Sequence, residues 1–149
     1  MKKKKKKEDY IITIDNVQYN EGREDRFTFS TLGDYRTEGD TRIIAYEDSA
    51  ATGFEGSETT LHISPDMVTM VRTGEYASSL VLEKGRRHTC HYGTPLGDLP
   101  LGIYTTRINN ELTDSGGTLD FSYSLDLNAS LFVSTDLKIT VREKTKPDA

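Results

Sequence analysis

Residues 64–94 decide the fold class, and they read SPDMVTMVRTGEYASSLVLEKGRRHTCHYGT. Three strand-like runs of about eight residues are set off by short turn signals at 64–66, 73–75 and 84–85. Runs of this length, with turn residues between them at regular spacing, are typical of an antiparallel meander. The stretch therefore predicts consecutive hairpins, in which each strand lies beside its neighbour in sequence.

The same pattern extends outward in both directions. Upstream, YIITIDNVQY, RFTFSTLGDYRTE, RIIAYEDS and SETTLHIS are strand-like, and Gly33 inside the second run indicates a β-bulge. Downstream, the alternation is cleanest in TLDFSYSLDLN, residues 118–128, and LFVSTDLKITVRE follows it. Helical periodicity is absent from the sequence. The chain therefore predicts an all-β protein: an antiparallel up-and-down closed barrel of eight to ten strands, since closure removes exposed edges. A β-sandwich is the alternative.

Length and charge indicate one domain with a charged extension. The 149 residues predict a single barrel domain over 10–143, a disordered lysine-rich tail over 1–9 and a polar tail over 144–149. The net charge is −5, and Lys2 to Lys7 contribute +6, so the remaining residues carry −11. An acidic body argues against nucleic-acid binding except through the lysine tail.

Composition also indicates the compartment. The positive N-terminal run is followed by Glu8 and Asp9 and not by an apolar segment, which argues against a signal peptide. No stretch approaches the ~18 apolar residues of a membrane span. Cys90 is the single cysteine, so no internal disulfide can form. We expect a cytoplasmic protein with no membrane partner.

Alternation also predicts which side chains face the barrel interior. On the strand after residue 85, His88, Cys90 and Tyr92 share one face, and cysteine is most often buried, so we assign this face to the interior. The same argument places nine apolar or aromatic residues inside: Phe27, Phe29, Leu61, Ile63, Leu80, Leu82, Phe121, Tyr123 and Leu125.

Several short marks follow one another in a recognisable order: Glu47, Thr52-Gly53, Gly56, Thr59-Thr60, Arg72, Tyr92-x-Thr94-Pro95-x-Gly97 and Gly102-x-Tyr104-Thr105. With this order the chain, from Tyr10 to Glu143, resembles the YwiB-like family of small bacterial proteins. The resemblance implies a calycin-like, lipocalin-type barrel. That family has no established activity, so the resemblance implies no catalytic residue. Calycins in general hold small molecules inside the barrel, and this is an analogy from the fold alone.

The leading functional interpretation is a non-catalytic protein that binds a small apolar or anionic molecule in the barrel. The candidate ligand-binding residues are Tyr92, Arg107, Arg72, Tyr104 and His88. Arginine can hold a carboxylate or phosphate. The alternative for a buried arginine is a structural ion pair, with Glu47, Glu55 or Glu58 as its partner.

Two other function classes remain open. The first is an enzyme in which His88 performs acid/base chemistry with Tyr92 or Tyr104. The second is an interaction module whose lysine tail contacts RNA. His88 and Cys90 lack the fuller ligand set of a zinc site, so we expect no metal and no cofactor. Oligomeric state and ligand identity are left open.

Overall fold

The computed structural model describes residues 10–48, 56–74, 77–94, 97–127 and 130–144. The predicted lysine tail, residues 1–9, lies outside the described residues, and so do residues 145–149 of the predicted C-terminal tail. Within the described ranges the chain forms ten strands. Their bounds are β1 Tyr10–Asn20, β2 Arg23–Glu38, β3 Thr41–Glu47, β4 Glu58–Ser64, β5 Met67–Thr73, β6 Ser78–Glu83, β7 Arg87–Thr94, β8 Gly97–Thr113, β9 Gly116–Leu127 and β10 Ser130–Glu143.

The sheet is a closed barrel in which every strand pairs antiparallel with its neighbour in sequence. Closure comes from β1 and β10, whose register runs from Tyr10 opposite Glu143 to Tyr19 opposite Ser134. The predicted up-and-down barrel is therefore confirmed, and the sandwich alternative is wrong. The described part of the chain contains no helix with the length and apolar character needed to span a membrane.

Every second residue of each strand faces the interior. Most of these residues are apolar, so the interior is apolar. Leu61, Leu80 and Phe121 are buried as predicted, while Phe29 and Tyr123 are half-buried and pack against the same core. For these residues of β2, β4, β6 and β9 the alternation predicted the interior face correctly. The largest fully buried side chains are Phe121, Ile12, Ile44, Leu61, Ile63, Leu82, Leu101, Ile103, Leu119, Ile139, Val68 and Val141.

A register shift in β8, between Thr105 and Arg107, changes which residues face inward. Before the shift Thr105 is buried opposite Tyr123, and after it Ile108 lies opposite buried Phe121. One extra residue in a strand bends it and moves the following side chain to the other face. The bulge therefore turns Arg107 to the outside of the barrel.

The bent half of β8 reaches the opposite wall of the barrel. The Tyr35 hydroxyl on β2 donates to the Thr113 carbonyl at 2.5 Å, and Arg42 on β3 pairs with Asp114 at 3.0 Å. Tyr10 packs edge-on against Tyr35, with 5.4 Å between the ring centroids. These contacts cover one end of the barrel, which we call the β8–β9 end. The other end, where β3 finishes and β4 begins, is the β3–β4 end.

Pairing is weakest between β6 and β7, where Ser78 opposite Tyr92 is the registered pair in the described residues. At its far end the β6 segment turns to β8 instead: Lys84 bridges Thr105, and the Gly85 N–H donates to the Thr105 carbonyl at 2.8 Å. The β6–β7 hairpin therefore spreads apart next to His88.

Candidate functional site

Four polar side chains follow one another across neighbouring strands at the β3–β4 end of the interior. Tyr46 on β3 lies opposite Thr59 on β4, Thr59 opposite Arg72 on β5, and Arg72 opposite Ser78 on β6. We call these four residues the polar belt. The next row of the same strands is apolar: Ile44, Leu61, Met70 and Leu80. The belt therefore marks where the interior changes from apolar to polar.

An ion pair connects the belt to the segment after β3. The Asp48 N–H donates to the Ser57 carbonyl at 2.8 Å, which extends the β3–β4 ladder by one step. Thr59 Oγ1 then donates to Asp48 Oδ2 at 2.7 Å, and Arg72 Nε lies 3.6 Å from the same oxygen. The Asp48 side chain is 1% exposed and that of Arg72 is 11% exposed. Asp48 therefore compensates the charge of Arg72 in the interior.

The sequence prediction of Arg72 as an interior residue is correct, but Asp48 was missed as its partner. Of the predicted partners, Glu47 and Glu58 are exposed, and Glu55 lies outside the described residues. Strand alternation could have identified Asp48 as the partner. It lies two residues beyond the buried Tyr46 and therefore faces the same side of the strand.

The phenol of Tyr46 is held in its neutral form. Burial is the main cause that raises its pKa, the Asp48 carboxylate raises it further, and Arg72 and a hydrogen bond with Thr59 oppose both. The folded pKa thus lies above the value of about 10 that the phenol has in an unfolded chain.

We expect alkaline pH to destabilise the protein through Tyr46. Above pH ~10 the unfolded chain loses the phenolic proton while the folded protein keeps it, so the free energy of unfolding falls by up to about 1.4 kcal/mol per pH unit. The Tyr46→Phe variant should lose this part of the slope in denaturant titrations between pH 8 and 11. Tyr104→Phe, on the outer face, is the matched control, and equal slopes in the two variants would contradict the assignment.

Cys90 is a packing residue of the core. It is free and buried within the apolar cluster, and burial raises the pKa of its thiol. Because the thiolate is the reactive form, both effects oppose modification. We expect the native protein to react with Ellman's reagent at least about a hundredfold more slowly than the denatured chain. Rapid native labelling would show that the β6–β7 hairpin opens readily next to Cys90.

His88 and Tyr104 do not form the predicted acid/base pair. His88 is half-buried, and its Nε2 lies 3.0 Å from Glu83 Oε1, at the base of the β6–β7 hairpin. Tyr104 is 39% exposed and follows the buried Ile103, so it lies on the outer face of β8. Strand alternation separates the two side chains, and the prediction that Tyr104 faces the interior is wrong. Tyr92 is opposite Ser78 in the backbone register, and its side chain lies outside the described atoms.

Arg107 also lies outside the barrel, which corrects its prediction as an interior residue. Its side chain is 51% exposed, its NH1 is 3.0 Å from Asp120 Oδ1, and its NH2 donates to Ser122 Oγ at 3.0 Å. There it lines an outer depression of about 320 Å³ across β2, β1, β10, β9 and β8. The cause is the bulge after Thr105, which the alternation pattern did not reveal.

A cavity of about 240 Å³ lies beside the Asp48–Arg72 pair at the β3–β4 end. We call it the acidic pocket, and it is lined by Glu47, Asp48, Gly56, Ser57, Glu58, Thr73 and Gly74. Asp48 and Ser57 are 7% and 3% exposed. Asp48 Oδ1 and Ser57 Oγ are shielded from solvent and have no hydrogen-bond partner among the described residues.

Comparisons with known proteins agree with the resemblance seen in the sequence. The profile of a family described as a domain of unknown function, DUF1934, matches residues 12–139. The crystal structure of ywiB protein from Bacillus subtilis is similar, with a TM-score of 0.79 and 19% identity over 91% of this chain and 92% of that chain. At this identity the likeness shows the fold. No match is found among curated proteins. Because the profile covers most of the chain, the protein belongs to the DUF1934 family.

Proposed function

We propose that the protein is a non-catalytic, calycin-like binding protein that holds a small, partly apolar molecule at the β3–β4 end of its barrel. The observation that carries this proposal is the polar belt, a row of polar side chains on four neighbouring strands beside an apolar core. Small-molecule sites typically combine apolar walls with a few convergent polar groups. The belt supplies the polar groups, and the apolar row containing Ile44 and Leu61 lies directly behind it.

The packing of the interior favours a ligand site at the end of the barrel over one at its centre. Leu61, Ile63 and Leu82 fill the interior beyond the belt, and they are fully buried. An interior packed to this degree leaves little space for a second molecule. We therefore place the ligand next to the belt, and not in the centre of the barrel.

The charge of the ligand follows from the ion pair. An anionic head group would compete with Asp48 for Arg72, and separating a buried pair is costly. We therefore favour a ligand whose polar end forms hydrogen bonds without displacing Asp48. A cytoplasmic location is part of the proposal, and the free, buried Cys90 supports it.

Native mass spectrometry of the purified protein tests this function, with a retained small molecule as the expected result. The informative variant replaces both charges of the pair, Arg72→Met with Asp48→Leu, so that no unpaired charge stays buried. The retained molecule should be lost from this double variant and kept by Asp66→Asn, which changes one exposed carboxylate in the β4–β5 turn. Retention by a folded double variant would contradict the proposal.

A further inference from the structure

We propose that the outer depression beside Arg107 binds the ring of a saccharide through its hydroxyl groups. The depression has a volume of about 320 Å³ and is lined by residues of the long strands β2, β1, β10, β9 and β8. It is separate from the polar belt inside the barrel, so this proposal is independent of the function proposed above. It comes from the balanced charge of the depression, its hydrogen-bond network and the exposed tyrosine at its rim.

The charges around the depression cancel. Three carboxylates and three cations line it: Asp15, Asp120, Asp136, Arg26, Arg107 and Lys138. The formal charge of this set is therefore zero at pH 7. Such a site offers no long-range attraction to an anion or a cation, whereas a neutral ligand that both donates and accepts hydrogen bonds matches carboxylates and cations alike. The hydroxyl groups of a sugar have this double capacity.

The polar side chains of the depression hold one another in place. The Arg107 guanidinium lies 3.0 Å from Asp120 Oδ1 and donates to Ser122 Oγ at 3.0 Å. Ser122 Oγ donates to Asp136 Oδ1 at 2.6 Å, and the Tyr19 hydroxyl donates to Asp136 Oδ2 at 3.3 Å. The network thus joins the four neighbouring strands β8, β9, β10 and β1. Side chains fixed in this way on strands are preorganised, because binding then restricts little further motion.

A ligand in the depression can reach this network. The Arg107 side chain is 51% exposed and that of Asp120 is 20% exposed. Lys138 is exposed as well, and it lies opposite Asp15 on β1 and Asp120 on β9. A carboxylate has about four acceptor positions, and the network uses two of those of Asp136. Donors and acceptors are therefore both available to the hydroxyl groups of a ligand.

The β8 bulge brings Arg107 to the depression. Regular alternation from the buried Thr105 would turn Arg107 inward, and the register shift between the two residues turns it outward instead. Bulges are over-represented next to functional sites, where they change the direction of a side chain. The irregularity in β8 thus has a role in assembling the network.

An exposed aromatic ring lies at the rim of the depression. Tyr19 is 41% exposed, and it lies two residues from the lining residue Val17, on the same face of β1. A sugar ring presents C–H groups on one face, and these pack against an aromatic ring while the hydroxyl groups form hydrogen bonds. A tyrosine next to a charge-balanced polar network favours a sugar over a small ion.

Three neutral glycosides test the proposal on the full chain, with amide chemical shifts as the measurement: methyl α-D-glucopyranoside, methyl α-D-mannopyranoside and methyl β-D-galactopyranoside. At least one of them should bind saturably with a Kd of about 1–10 mM and shift the amides of Arg107, Ser122 and Asp136. Equal affinity for this glycoside and for the matching linear tetrasaccharide assigns the site to a single sugar unit. At least about tenfold tighter binding of the tetrasaccharide assigns it to a glycan chain.

Two variants and two matched controls locate the binding site. Asp136→Asn should weaken glycoside binding about tenfold and Tyr19→Ala about fivefold. The controls are Asp66→Asn and Leu32→Ala, which change an exposed carboxylate and an exposed apolar side chain that do not line the depression, and the affinity should stay unchanged. An unchanged amide spectrum away from the depression shows that each variant is folded.

The proposal is overturned if none of the glycosides shifts these amides at about 100 mM. Binding of sodium phosphate or glycine there in place of a glycoside also overturns it, and so does equal weakening by Asp136→Asn and Asp66→Asn. None of these results changes what native mass spectrometry detects at the β3–β4 end, so the two sites are tested separately.

Discussion

Replacing Asp48 with alanine should lower the free energy of unfolding by about 3–5 kcal/mol. Its side chain is 1% exposed, and its loss leaves the Arg72 guanidinium buried without its carboxylate. The same change also removes the oxygen that accepts from Thr59 Oγ1 at 2.7 Å. Chemical denaturation with urea measures the effect directly, as a lower midpoint at an unchanged slope.

The double variant Arg72→Met, Asp48→Leu provides the control for this prediction. Replacing both members of a buried ion pair with apolar side chains is often neutral or stabilising, because no charge then stays desolvated. We expect the double variant to recover most of the stability that Asp48→Ala loses. If Asp48→Ala costs less than about 1 kcal/mol, the pair is solvated in solution and does not belong to the interior.

Phe121→Ala should also cost about 3–5 kcal/mol, because it removes a large, fully buried side chain. Phe121 lies opposite Ile108 on β8 and Leu137 on β10, and its ring stacks on Tyr123 with 6.0 Å between centroids. Phe121 therefore fills the interior next to Ile108, the residue that faces inward after the β8 bulge. Thermal and urea unfolding would both report the loss.

Leu32→Ala is the matched control for Phe121→Ala. Leu32 is among the exposed large hydrophobic residues on the outside of β2, and its truncation should change stability by about 0.5 kcal/mol or less. A similar cost for the two variants would mean that the interior near Phe121 is loosely packed and that the side chain contributes little beyond its propensity for β-structure.

The fold could be predicted from the sequence because two local signals agree along the chain. Turn residues divide 64–94 into hairpins, and period-two alternation in 118–128 links each position to one face. The buried Leu119, Phe121 and Leu125 follow that alternation. Since each strand pairs with its sequence neighbour, the order of strands needs no long-range information.

Bulges could not be predicted, because they depend on contacts between strands. Gly33 was predicted to mark a bulge, yet it pairs regularly with Tyr10 and Tyr46. Glycine is needed there for another reason, since a Cβ would lie 2.6 Å from the Ala45 carbonyl oxygen. The register instead shifts after Thr105 on β8, and again between Leu131 and Val133 on β10, where neither glycine nor proline marks the shift. The extra residue after Thr105 shifts the alternation by one position, so the sequence pattern placed Arg107 inside the barrel, whereas it lies outside.

The candidate site was predictable only in part for a related reason. Arg72 could be placed inside by alternation, but its partner Asp48, in the strand-like run RIIAYEDS and just beyond the end of β3, was not among the predicted partners. The Asp48 N–H to Ser57 carbonyl hydrogen bond continues the β3–β4 pairing one residue beyond Glu47, and Asp48 is buried there. Pairing between strands thus brings Asp48 to Arg72, and the choice among the acidic residues of this region could not be made from the sequence.

The pairing of β1 with β10 has a consequence for how the chain folds. In the described part of the chain, the other full ladders join sequence neighbours, so they can form as local hairpins soon after synthesis. Joining Tyr10 to Glu143 instead requires closure of a loop that spans nearly the whole domain, and contacts of this kind are slow to form. Until closure occurs, β1 and β10 present unpaired edges that can recruit other chains. We therefore expect the pairing of β1 with β10 to be the last step of folding, and the chain to be most exposed to aggregation before that step.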